Sequence, residues 1–73
     1  MSSLRFDVFG RQVLVTATGD DWAVYYVGSE GKRRPARDIV VPSEIPESGI
    51  AQYLDDLCHE WATPRRPVVK RLR

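Results

Sequence analysis

The sequence holds one cysteine, one histidine and one methionine. A lone Cys58 excludes an internal disulfide and suits a reducing compartment. A lone His59 excludes any site built on two imidazoles. The stretch H-E-W-A-T that begins there lacks the second histidine of the H-E-x-x-H metalloprotease motif. No apolar run approaches the ~20 residues of a membrane-spanning helix, and none has the make-up of a signal-peptide core. The expected compartment is therefore the cytoplasm, with no membrane contact. Phosphate-cradling glycine loops, internal repeats and low-complexity segments are also missing. Charge of one sign is missing locally: residues 39–62 contain no Lys or Arg, and residues 63–73 no Asp or Glu.

What is present is a 73-residue chain, expected to form a single α+β domain over residues 1–73. A chain this short buries roughly 60% of its unfolded surface. That leaves little room for an enclosed active site beside a core. The expectation is a protein that is not an enzyme, with no catalytic residue, no metal and no cofactor. The net charge of +1 conceals blocks of alternating sign: −2 over residues 1–31, +3 over 32–38, −5 over 39–62 and +5 over 63–73. Such blocks either neutralise one another across the fold or face a charged partner.

The clearest periodic signal is the helix of residues 46–62. Ile50, Tyr53, Leu54, Leu57, Cys58, Trp61 and Ala62 recur at a 3.6-residue period, with Gln52, Asp55, Asp56, His59 and Glu60 between them. Pro46 or Ser48 opens this helix and Thr63–Pro64 closes it. A helix so short is marginal alone, so it must lie on a sheet, expected over residues 4–41. Leu4–Phe9 and Gln12–Thr18 alternate as strands around a Gly10–Arg11 turn. That register places Val8 opposite Val13, Phe6 opposite Val15 and Leu4 opposite Ala17, with Phe9 on the other face. Trp22–Val27 is a third strand, apolar on both faces. Lys32–Arg34 and Asp38–Val41 are short strands or extended segments, and the basic tail of residues 63–73 ends in a possible strand. The whole is an antiparallel meander of three to four strands with one helix on a face. The expected core is Phe6, Val8, Val13, Val15, Val24 or Tyr25, Ile39, Leu54, Leu57 and Trp61.

Few residues point to chemistry. Asp55 and His59 share a helix face, but two ligands fall short of the three or four a zinc site takes. Cys58 sits on the apolar stripe and reads as a small buried hydrophobe. It cannot pair with His59, because adjacent helical residues diverge by about 100°. Asp55, Asp56 and Glu60 belong to a solvated face. The basic stretch Lys32, Arg33, Arg34 and Arg37 follows a strand bearing Trp22, Tyr25 and Tyr26. Cations beside aromatics are the ingredients of nucleic-acid binding. The alternative buries the aromatics and pairs the arginines with the acidic helix. The candidate binding surface thus comprises Trp22, Tyr25, Tyr26, Lys32, Arg33, Arg34, Arg37, Asp55, Asp56, His59 and Glu60. The expected role is a protein-binding or adaptor domain. The alternative is a nucleic-acid-binding module using the sheet and the Lys32–Arg37 loop.

The segments F-D-V-F-G-R, W-A-V-Y-Y-V-G-S-E-G-K-R-R, D-I-V-V-P and Y-L-D-D-L-C-H-E-W-A-T-P resemble a bacterial family of uncharacterised proteins of about this length. The resemblance runs from Phe6 to about Leu72 and implies a small α+β domain, without an activity or cofactor. In element order the chain also resembles the arm-site DNA-binding domain of transposon and phage integrases, whose sheet enters the major groove. It departs from that domain in its acidic helix and near-zero net charge.

Overall fold

A computed structural model describes residues 3–28, 30–65 and 67–72. Met1, Ser2 and Ser29, and Arg66 and Arg73 of the basic tail, lie outside the described residues. Five antiparallel strands form one open sheet in the order β4-β3-β2-β1-β5. They are β1 (Ser3–Val8), β2 (Arg11–Thr18), β3 (Asp21–Val27), β4 (Arg33–Pro35) and β5 (Val69–Arg71). The single α-helix, α1 (Ile50–Cys58), is extended by one 3₁₀ turn on each side, Glu47–Gly49 and His59–Trp61. The fold is α+β, and the last strand is realised in the tail.

The alternation of β1 and β2 sets which residues face the helix, but the register differs from the expected one by two residues. Leu4 lies opposite Val15, Phe6 opposite Val13, and Val8 opposite Arg11. The turn is therefore Phe9–Gly10, not Gly10–Arg11. A shift of two keeps every side chain on its own face, so hydrophobic alternation alone cannot choose between the two registers. Backbone conformation chooses. Phe9 has φ +53° and Gly10 φ +94°, the pattern of a type I′ turn, whose twist matches that of the strands. The Asp7 carboxylate accepts the Gly10 N–H at 2.7 Å and braces the loop.

Phe9 leaves the outer face where alternation places it. It is buried, and its ring meets the His59 imidazole edge-on with centroids 6.0 Å apart. Residues 38–41 form no strand. Asp38 belongs to a turn in which the Ile39 N–H donates to the Ala36 carbonyl at 3.2 Å, and Ile39 and Val41 are buried in the core. Pro35 ends β4 on the sheet edge, where its missing N–H is tolerated.

The core lies between one sheet face and α1 with the segment before it. Phe6, Val8, Val13, Val15, Val24, Ile39 and Leu54 are buried as expected, joined by Leu4, Phe9, Ala36, Val41, Ile50 and Cys58. Leu57 and Trp61 are not part of it. Leu57 is 44% exposed, and Trp61 is half-buried at the rim. On the uncovered face Leu14 is nonetheless buried, lying in one cross-strand row between Arg5 and Tyr25. Among the described residues no helix is long and apolar enough to cross a membrane.

Candidate binding groove

The Phe9–Gly10 turn and the β3–β4 turn lie at the same end of the sheet, because β1 and β3 run in parallel directions toward it. Two hydrogen bonds tighten the second turn: Gly28 N–H to the Lys32 carbonyl at 2.8 Å and Gly31 N–H to the Gly28 carbonyl at 2.9 Å. Between the turns opens a cleft of about 800 Å³, within the size range of ligand sites. Arg11, Lys32, Arg33, Arg34, Tyr26 and Asp38 line it, with Gln12, Val27 and the backbone of Gly10 and Gly28. Four cationic residues and one carboxylate therefore line one concave site, with Arg33 set on the opposite sheet face from Arg34 by its pairing with Val27. The surplus of positive charge focuses potential there.

Two of these cations are held by rings. The Arg11 guanidinium lies 4.2 Å from the Trp61 ring centroid, and Arg34 lies 5.7 Å from that of Tyr26. The two rings are themselves 6.3 Å apart. Each such contact contributes about 0.5–1 kcal/mol at an exposed site. It also limits the side-chain freedom lost when a ligand binds. Register explains the grouping. Tyr26 pairs with Arg34 across β3–β4 and with Val13 across β2–β3, so both polar side chains share the helix-bearing face. Asp38 sits beside them, its two oxygens accepting the Tyr26 hydroxyl at 2.8 Å each.

Desolvation, then this hydrogen bond and the Asp38 charge, push the Tyr26 pKa from 10.0 up to about 12. A pKa raised by folding means that the unfolded chain releases the proton first. The Tyr26 contribution to stability is therefore complete below pH 10 and is lost as pH rises toward 12. Burial raises Cys58 as well, from 9.0, so the loss begins slightly earlier. Urea midpoints followed from pH 9 to 12 are expected to fall in the parent chain and to fall less steeply in Tyr26→Phe. Equal slopes would remove Tyr26 from the cause.

The structure does not gather the sequence-predicted surface into one place. Tyr26, Lys32, Arg33 and Arg34 meet in the groove. Trp22 lies at the opposite end of the sheet, where its indole N–H donates to the Ile45 carbonyl at 2.9 Å. Tyr25 is on the uncovered face, in the row of Leu14 and Pro35. Arg37 is exposed beyond the groove lining. On α1, Asp55 meets His59 at 3.3 Å, and Asp56 accepts from Gln52 at 3.0 Å. Glu60 borders a separate shallow depression beside Leu57 and Trp61. Among the described residues no three of His, Cys, Asp and Glu come close enough to hold a metal ion.

Neither do the groove arginines pair with the helix. Among the described residues, Arg11, Arg33 and Arg34 have no carboxylate within ion-pair distance, and Lys32 reaches only Glu30 at 4.0 Å. The acidic block of residues 39–62 is instead linked to the basic tail, through Glu47 with Arg71 at 3.1 Å. Sequence reasoning missed Arg11 and Asp38 as groove residues, and Trp61 as the ring against which Arg11 lies. The F-G dipeptide was the available signal: a turn there makes Arg11 the first residue of β2 and sets it facing α1.

No curated protein and no solved structure shows a significant match to the chain. A family match does exist and spans residues 3–73, from β1 through the groove and helix to the end of β5. The chain belongs to the family described as a domain of unknown function, DUF7661.

Proposed function

We propose that this protein is a non-enzymatic binding domain that takes an acidic segment of a protein partner in the groove between its two hairpin turns. The observation that carries this reading is the set of Arg11, Arg33 and Arg34. All three residues line one concave site and lack an ion-pair partner among the described residues; Arg11 and Arg34 do so from the helix-bearing face and Arg33, opposite Val27, from the other. Arginine's planar fork suits bidentate capture of carboxylates, and two of the three are pre-oriented on rings. The ionisable side chains of the groove fit charge recognition. They are cations, one carboxylate already engaged by Tyr26, and that phenol.

A second reading is a single-stranded nucleic acid lying in the same groove, favoured by the rings of Tyr26 and Trp61 beside the cations. Base stacking needs free ring faces. Arg11 and Arg34 already lie over those rings, so the acidic peptide is the better fit. Fluorescence polarisation with a labelled oligoglutamate peptide and a labelled oligothymidylate of equal length separates the two, at ~50 mM salt where electrostatic binding is strong. The peptide is expected to bind, and Arg33→Ala and Arg34→Ala each to weaken it about tenfold, as for a lost charge-assisted hydrogen bond. Tighter binding of the oligonucleotide, lost in the same variants, would establish the second reading instead.

A further inference from the structure

Four large apolar side chains are exposed among the described residues: Val40 at 68%, Leu57 at 44%, Val68 at 48% and Leu72 at 48%. Isolated exposed hydrophobes need no explanation. These four, however, fall into two pairs of opposite electrostatic setting. Leu57 lines a depression of about 260 Å³ with Asp38, Ile39 and Glu60, above the buried Cys58. Val40 follows Ile39 directly. Its carbonyl accepts the Tyr53 hydroxyl at 2.7 Å, one helical turn before Leu57. The depression's two lining carboxylates, Asp38 and Glu60, outnumber the cation beside it, Arg11 on the ring of the lining Trp61, and leave it acidic. Val68 and Leu72 bracket β5, with Lys70 and Arg71 between them and Arg65 shortly before.

We propose that two copies of this chain associate by seating the basic β5 segment of one, with Val68 and Leu72, on the acid-rimmed depression around Leu57 of the other. The basic segment is already fixed. β5 pairs with Phe6–Val8 of β1, the Leu72 N–H donates to the Arg5 carbonyl at 2.7 Å, and Arg71 meets Glu47. Docking therefore orders little new chain, which removes a main cost of association. The competing arrangement, β5 against β5 at the sheet edge, would bring Lys70 and Arg71 of both copies together. Like charges across a strand pair are destabilising, and lysine on an edge strand is a known guard against such pairing. The complement of this segment on the same molecule is the carboxylate-rimmed patch.

Size favours a reciprocal arrangement. A standard interface takes roughly 800 Å² from each partner, about a sixth of the 5148 Å² surface of this chain. A three-residue strand seated on a depression of about 260 Å³ is a small contact beside that. Two contacts related by a two-fold axis double the area and close the assembly as a dimer. The proposal stands apart from the acidic-segment reading of the groove, with Asp38 bordering both sites.

Sedimentation velocity of the full chain from ~10 μM to ~1 mM tests it, at low salt and at ~500 mM salt, where screening is nearly complete. The parent chain is expected to move from monomer to dimer, less so at high salt. Leu57→Lys and Leu72→Glu are each expected to weaken dimerisation at least tenfold. Both positions are exposed, so folding is expected to persist, and far-ultraviolet circular dichroism checks it. An equimolar mixture of the two variants is expected to dimerise again. It pairs one unaltered β5 with one unaltered depression, and the introduced lysine with the introduced glutamate. A parent chain monomeric at every concentration, dimerisation indifferent to both variants, or a mixture of folded variants that stays monomeric would each overturn the proposal.

Discussion

Leu54→Ala is expected to unfold most of the protein in dilute buffer, whereas Leu57→Ala leaves it folded. The two leucines are three residues apart on α1 and differ fully in burial. Leu54 is 0% exposed inside the core, and Leu57 is 44% exposed. Truncating a fully buried leucine removes its transfer free energy and leaves a cavity, a combined cost of about 2–5 kcal/mol. A core of this scale supplies only about 3–5 kcal/mol of net stability. A surface truncation away from special features stays within about 0.5 kcal/mol. Urea melts of the two variants check this directly. A Leu57→Ala variant less stable than Leu54→Ala would mean that the helix meets the sheet on the Tyr53–Leu57 line instead.

The same pair shows how far the sequence was legible. Periodicity identified the helix and its apolar side, but that stripe runs through Ile50, Tyr53, Leu54, Leu57, Cys58 and Trp61. It is wider than the contact a short helix makes with one sheet. The buried line is Ile50, Leu54 and Cys58, at four-residue steps, and Tyr53 and Leu57 fall to one flank. Tyr53 serves there through its hydroxyl bond to the Val40 carbonyl. Period alone ranks these residues equally, since it carries no information about the centre of the stripe. The strand faces were legible for the complementary reason: a period of two assigns each residue to one side without a centre to locate.

The groove was legible in part. A basic loop after an aromatic strand pointed to Tyr26, Lys32, Arg33 and Arg34, and these do meet. Alternation should have separated the aromatics, because Trp22 and Tyr26 share one face of β3 while Tyr25 takes the other. Arg11, Asp38 and Trp61 come from three further segments. Their meeting depends on the turn position, on the course of residues 36–45 and on the 3₁₀ turn after α1, none of which a hydrophobic pattern encodes.

The turn position rests on Phe9, and Phe9 carries the second large effect. Its φ of +53° is unfavourable for a residue with a Cβ, by about 1–2 kcal/mol. Burial of its ring against the core and the edge-on contact with His59 offset that strain. These opposing terms predict an order among substitutions. Phe9→Ala keeps a Cβ in the left-handed conformation and loses the ring, so both terms act against it. Large-to-small changes at buried phenylalanine cost about 3–5 kcal/mol, enough to unfold a domain of this stability. Phe9→Gly loses the same ring but relieves the strain, since glycine adopts positive φ freely. It is expected to be more stable than Phe9→Ala by about 1 kcal/mol, against the usual rule that glycine is the worse replacement. Both should remain below the parent. Equilibrium urea unfolding of the three proteins resolves the order. Were Phe9→Gly as stable as the parent, the ring would contribute no more than it costs to hold. Were Phe9→Ala the more stable variant, Phe9 would not occupy the left-handed turn position, and the register that brings Arg11 into the groove would be wrong.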